Sequence, residues 1–257
     1  MIIDKREQIL NGPKYFLRNV SVCNVIFGYH EKQLSVLLLR PTTIDKWIIP
    51  GGYIRQIETI EEAANRVIED MTKLKNLYLK QFKSFGTPKR RSDDFLTPWL
   101  LGWVSDRELE SSNWMFDYFV TIGYYTLVEF SKVEPHAEDF REECKWWNIN
   151  NIPEMMFDYR NIISEALNSL QKDIHHFPIG IELLPQKFTL PDIHCLYETI
   201  LGRNLDYRNF SKKLLSTGII KRMDEKRNIG AHRAPYLYVF NEENYQNMMI
   251  EGFVMKF

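Results

Sequence analysis

Pro50-Gly51-Gly52 divides two incompatible periodicities, and that switch constrains the fold more than any other feature of the chain. Before it, Trp47-Ile48-Ile49 reads as a short strand. Proline lacks the N–H that a strand needs, and the paired glycines supply backbone angles closed to other residues. After it, Ile60, Ala63, Ala64, Val67, Ile68 and Met71 fall on one helical face, with Glu62, Arg66, Glu69 and Asp70 on the other. An amphipathic helix entered from a strand needs a sheet beneath it. Residues 20–29 and 34–39, apolar and β-branched around Glu31-Lys32-Gln33, read as a hairpin, and 77–85 and 117–130 read as further strands.

The chain of 257 residues has room for two cores, and 44% hydrophobic with 26% charged residues excludes a disordered chain. Residues 159–174 have a helical pattern that His175-His176-Phe177-Pro178 breaks. This predicts domains of 1–175 and 176–257. Residues 86–91 are a loop by composition, and 92–114, of mixed polarity, form a structured insertion without a legible role. Cys23, Cys144 and Cys195 are far apart, which speaks against a disulfide framework or a zinc site. His30, His136, His194 and the pair His175-His176 lack partners at metal spacing and read as surface or boundary residues. The longest apolar run is about ten residues, too short to span a bilayer. With no export or membrane signal, the expected location is the cytoplasm.

The C-terminal part has its own logic. Ile193, Leu196, Tyr197, Ile200 and Leu201 follow helical spacing behind a Thr189 cap with Pro191 and Asp192 in the first turn. Gly202-Arg203-Asn204-Leu205 makes a short turn, and 206–216 form a second helix. Its face of Tyr207, Phe210 and Leu214 opposes one of Arg208, Asn209, Lys212 and Lys213. Two helices at this spacing are a helix-turn-helix, whose second helix enters the major groove. Arginine suits guanine edges, asparagine adenine edges and lysine phosphates. A strand at 236–240 completes a hairpin with Lys226, Arg227, His232 and Arg233 near its tip, which is the wing of a winged helix. From Lys187 to Arg233, ten basic residues face five acidic ones, so this stretch carries +5 in a chain of net charge −1. Charge, turn length and wing together point to double-stranded DNA, with Arg203 in the turn as a further candidate contact.

The first part resembles the Nudix signature, G-x5-E-x7-R-E-U-x-E-E-x-G-U with U aliphatic. Gly52 opens it, Glu58 fills the first acidic position, Arg66 the arginine, and Ile68 and Leu74 the aliphatic ones. The three later acidic positions hold Val67, Asp70 and Met71, and the late glycine is Lys73. Magnesium demands oxygen ligands, and neither valine nor a thioether offers one. The expectation is therefore no catalytic residues, no metal and no cofactor. Glu58 and Arg66 could serve phosphate or metal, but without carboxylate neighbours they read better as an ion pair clamping loop to helix.

The order of parts, with Phe188-Thr189-Leu190, Leu196-Tyr197-Glu198 and the stretch LDYRNFSKKLL at 205–215, is similar to the Nudix-related transcriptional regulators of bacteria. That resemblance implies an α+β chain: a Nudix-like α/β/α sandwich with a mixed sheet, then a winged helix. It also implies a homodimer, usually a repressor, that binds operator DNA and responds to a metabolite in the former catalytic pocket. Known effectors are ADP-ribose, linked to NAD metabolism, and L-arabinose, linked to pentose utilisation. The missing carboxylates favour the sugar, with Arg40, Tyr53 and Tyr124 as candidate effector contacts. The alternative is a divergent Nudix hydrolase acting on a nucleoside diphosphate derivative, with Asp70, Glu69 and Glu62 assembling another magnesium site.

Overall fold

The computed structural model describes all residues except 1–2, 76, 88–92, 111–112, 134, 136–141, 228–233, 252–254 and 256–257. Parts of the 86–91 loop and of the 92–114 insertion, His136, His232 and Arg233 therefore lie outside the described residues. Two compact units emerge: 1–27, 35–126 and 133–166 form the first, and 28–34, 127–132 and 167–257 the second. The long C-terminal stretch of the second unit starts inside a helix, at Leu167. Its last turns are tied in, because Gln171 Nε2 donates to Ile200 O at 2.9 Å and Ile174 is fully buried.

The fold is α+β. Its central strand β1 (Phe16–His30) is buried without alternation from Val22 to Gly28, as a strand covered on both faces must be. Around it, β2 (Gln33–Pro41), β4 (Lys80–Phe85), β5 (Val120–Glu129) and β6 (Glu142–Asn148) give the order β4-β5-β1-β2-β6. The short strand β3 (Gly51–Arg55) also pairs with β1, setting Gly51 opposite Cys23 and Gly52 opposite Val22. Helix α2 (Ile60–Thr72) lays Ala63, Ala64 and Val67 against Val22, Ile54 and Tyr124. Its N-cap Thr59 and Glu62 form a reciprocal capping box, and Lys73 ends it in the left-handed region at φ 60°.

Two elements occupy segments that carried no assignment in the sequence, helix α1 (Lys5–Asn11) and β6 through Trp146-Trp147. Trp47 and Ile48, expected in a short strand, make isolated bridges instead, and Gly51 and Gly52 are extended in β3, neither with a positive φ. The insertion explains α1. With helix α3 (Asp93–Leu100) and a 3-10 turn at Trp114–Phe116, it builds a second small core of Ile9, Phe16, Leu100, Val104, Trp114, Met115 and Phe116. Asn113 Nδ2 and Trp114 Nε1 both donate to Ile9 O, at 2.8 and 3.1 Å. Gly12 is required here: a Cβ would lie 2.1 Å from the Trp114 ring.

The second unit continues helix α4 (Tyr159–Asp173) into strand β7 (Phe188–Thr189), helices α5 (Leu190–Leu201) and α6 (Tyr207–Ser216), and strands β8 (Ile220–Lys226) and β9 (Tyr236–Phe240). Helix α7 (Glu242–Glu251) closes the chain, and the three strands order as β7-β9-β8. Two helices followed by this hairpin make a winged helix. Among the described residues, no helix is long and apolar enough to cross a membrane.

Candidate functional site

Helix α2 has consumed its polar face. Arg66 donates to Glu58 through Nε at 3.0 Å and Nη2 at 2.6 Å, and Nη2 also reaches Tyr53 O at 2.9 Å. Arg55 N adds a bond to Glu58 Oε1 at 2.8 Å. The Glu58 side chain is only 11% exposed. Burial alone would raise its pKa, but the hydrogen bonds from Arg66 and from the Arg55 backbone, with the charge of Arg66, outweigh burial and lower it. The pair is thus a clamp between loop, strand and helix. Glu62 closes the cap on Thr59 N, and Glu69 pairs with Lys75 at 2.8 Å.

Two of the three later positions that need carboxylates for magnesium are filled with apolar groups, Val67 and Met71, and the third keeps Asp70. Val67 packs against Gly52 so closely that a Cβ there would come within 2.8 Å of Val67 Cγ2. Met71, 4% exposed, lines a cavity instead of offering an oxygen. Among the described residues no three His, Cys, Asp or Glu side chains gather to hold a metal. The donor set therefore does not fit the hard cation that Nudix chemistry uses.

That cavity has a volume of about 210 Å³ and lies wholly in the first unit. Its lining includes Gly51, Gly52, Tyr53 and Met71, with Lys5, Trp99, Phe119 and Tyr159. Tyr53 sits in an aromatic box, its ring centre 4.5 Å from Trp114, 5.3 Å from Phe119 and 5.9 Å from Phe16. Burial raises its hydroxyl pKa, so it remains a neutral donor. Trp99 Nε1 is shielded from solvent and has no hydrogen-bond partner, and Lys5 Nζ lies 5.3 Å from the centre of the same ring. Among charged residues the lining has Lys5 against Asp117 and Glu142.

Of the three candidate effector contacts, Tyr53 lines this cavity and the other two lie elsewhere. Arg40 is paired with Asp45 at 2.9 Å and Glu143 at 2.7 Å and rests over Trp47. Tyr124, 2% exposed, donates from its hydroxyl toward Glu61 and Gln81, both at 3.3 Å, under α2. Burial, helped by the Glu61 charge, pushes its pKa to about 12. Sequence reasoning missed Met115, Phe119 and Tyr159, which come from segments whose meeting no local pattern announces.

In the second unit, α5 opens on a capping box between Thr189 and Asp192 and ends at Gly202 with φ 64°. Asp206 caps α6 by accepting from Asn209 N at 2.8 Å. Tyr197, Phe210 and Leu214 are buried between the helices, leaving Arg203, Arg208, Asn209 and Lys212 exposed and Lys213 partly so. His194 is not the surface residue that isolation in sequence suggested. Its ring meets Tyr207 and Phe210 edge-on at 5.1 Å, and Nε2 lies 3.0 Å from Leu205 O, fastening the turn before α6. Lys226 is exposed on the wing, whereas Arg227 turns back to Asp192 at 2.8 Å.

Comparison with known proteins agrees with this architecture. Residues 180–240 match the family described as the NrtR DNA-binding winged helix domain. The chain is 24% identical over 233 residues to the ADPR responsive transcriptional repressor NtrR of Acinetobacter baylyi, covering 88% of this chain and 83% of that one. The Shewanella oneidensis NrtR crystallised with a 27mer DNA superposes with a TM-score of 0.68 at 21% identity, covering 89% of this chain and 96% of that one. A MutT/nudix family protein from Enterococcus faecalis gives 0.60 at 20% identity, covering 90% and 91%. Both likenesses concern the fold.

Proposed function

We propose that this chain, in which a Nudix-like domain precedes a match to the NrtR DNA-binding winged helix domain at residues 180–240, is a transcriptional regulator acting as a repressor. In this reading it is a homodimer that reads two operator half-sites. The observation that carries the proposal is the exposed Arg208-Asn209-Lys212 face on a helix capped and braced as a recognition helix. Loss of carboxylates at Val67 and Met71 makes the Nudix-like cavity a receptor rather than a reaction site. DNA footprinting of the promoter regions around its own gene tests the reading; the expected result is protection of a two-fold symmetric site, and no protected site would refute it.

For the effector, the lining favours a neutral, sugar-sized molecule such as L-arabinose. Aromatic walls suit the C–H face of a sugar ring. One cation against two carboxylates is a poor match for a diphosphate. The volume of about 210 Å³ also falls below the ~300–1,000 Å³ of pockets for drug-sized ligands. One observation favours ADP-ribose instead: the Acinetobacter relative is described as ADPR responsive. Calorimetry with L-arabinose and with ADP-ribose, on the wild type and Tyr53→Ala, separates them. Heat only with the sugar, lost in the variant, supports the first reading; heat only with ADP-ribose supports the second.

A further inference from the structure

The root of the wing carries two kinds of cation. Arg222 and Lys226 are exposed on β8, and each places its charge over the same ring, that of Tyr236 on β9, at 4.7 Å from its centre. Such contacts order a cation without neutralising it. Arg227, the next residue, is held by a carboxylate. Its Nη1 donates to Asp192 Oδ2 at 2.8 Å, its Nη2 to Lys187 O at 3.3 Å, and its backbone N to Pro235 O at 3.0 Å. Asp192 Oδ2 also accepts from Thr189 N at 2.7 Å, so one oxygen closes the cap of α5 and anchors the wing. Lys187, meanwhile, pairs with Glu225 at 2.6 Å. Two of the basic residues that gave this region its charge are thereby spent on internal struts.

We propose that Arg227 is a positioning residue that fixes the wing to the N-terminus of α5, and that Arg222 and Lys226, ordered by Tyr236, form the wing's phosphate-contacting surface. The proposal rests on the DNA-binding reading above. It removes Arg227 from the set of direct contacts and adds Arg222, which its place outside the hairpin tip concealed. A neutralised guanidinium contributes little counterion release, whereas two cations standing over a ring contribute fully.

The test is the salt dependence of binding by the full-length protein to a mixed-sequence DNA duplex, which needs no knowledge of the operator. Arg222→Ala and Lys226→Ala should each reduce the slope of log affinity against log salt by about one unit. Arg227→Ala should weaken binding about fivefold at fixed salt with the slope unchanged, in keeping with loss of a partly exposed strut. Asp192→Asn should also weaken binding at fixed salt by releasing the anchor, and the double variant should be no worse than Arg227→Ala alone. Arg227→Lys should fail to rescue, because an ammonium cannot serve Asp192 and the Lys187 carbonyl in the planar arrangement of a guanidinium. Full rescue by lysine, a slope reduced by about one unit in Arg227→Ala, or no effect of that variant overturns the positioning role. Unchanged slopes in both Arg222→Ala and Lys226→Ala overturn the phosphate surface. A wild-type protein that binds no duplex at low salt refutes the DNA-binding reading itself, and the proposal falls with it.

Discussion

Helices α2 and α6 are the same device put to opposite ends. Each is amphipathic, capped by an oxygen side chain, and packed by one apolar face against its own domain. On α2 the polar side chains are engaged by the chain itself: Glu58 holds Arg66, Glu62 holds the cap, and Glu69 holds Lys75. On α6 Arg208, Asn209 and Lys212 remain exposed. Polar residues on a helix do not by themselves announce a binding site. What separates the two is whether the charges are already satisfied by the chain, and that follows from the neighbours each helix meets.

The largest effect is expected at the clamp. Arg66→Ala leaves a largely buried Glu58 carboxylate without its partner and should cost about 3 kcal/mol in urea unfolding. A loss of a few tenths would show that α2 is not held by its own polar face. On α6 the expectation is reversed. Arg208→Ala should cost about 1 to 3 kcal/mol of operator affinity, measured by fluorescence anisotropy, while stability stays within about 0.5 kcal/mol. A variant that unfolds more easily but binds as before would make α6 another structural face.

Smaller effects sharpen the picture. Gly52→Ala sets a methyl group against Val67 and should destabilise by about 1 kcal/mol, with Val67→Ala in the same chain recovering part of it. The pH dependence carries a definite sign. Glu58 has its pKa lowered on folding, so its contribution is present above the ordinary glutamate pKa and is lost as pH falls through the depressed folded value. The stability gap between wild type and Glu58→Gln should therefore be widest near neutrality and narrow in acid. A gap that widens in acid would contradict the clamp.

How much of this was legible depends on range. Helices α2, α5 and α6 announce themselves because caps and apolar spacing are local. The winged helix follows from two short helices and a hairpin in sequence order. The cavity does not, because its walls come from α1, the insertion, β3 and the segment around Met156 to Tyr159. Helix α1 is too short to be stable alone. It exists because Asn113 and Trp114, a hundred residues away in sequence, bond to Ile9 O. Position beside the motif pointed to Tyr53, but it also pointed to Arg40, whose partners Asp45 and Glu143 no periodicity connects to it. Charge counting saw a basic tail and could not see that Arg227 and Lys187 are paired.

The most direct test of a receptor cavity coupled to a recognition helix is an operator-binding isotherm recorded with and without effector in the cavity. L-arabinose should shift the operator affinity by about 5- to 150-fold, the range of a coupling of about 1 to 3 kcal/mol, and Tyr53→Ala should abolish the shift. An affinity that neither the sugar nor ADP-ribose moves, together with steady hydrolysis of ADP-ribose that Asp70→Ala stops, would contradict the receptor role.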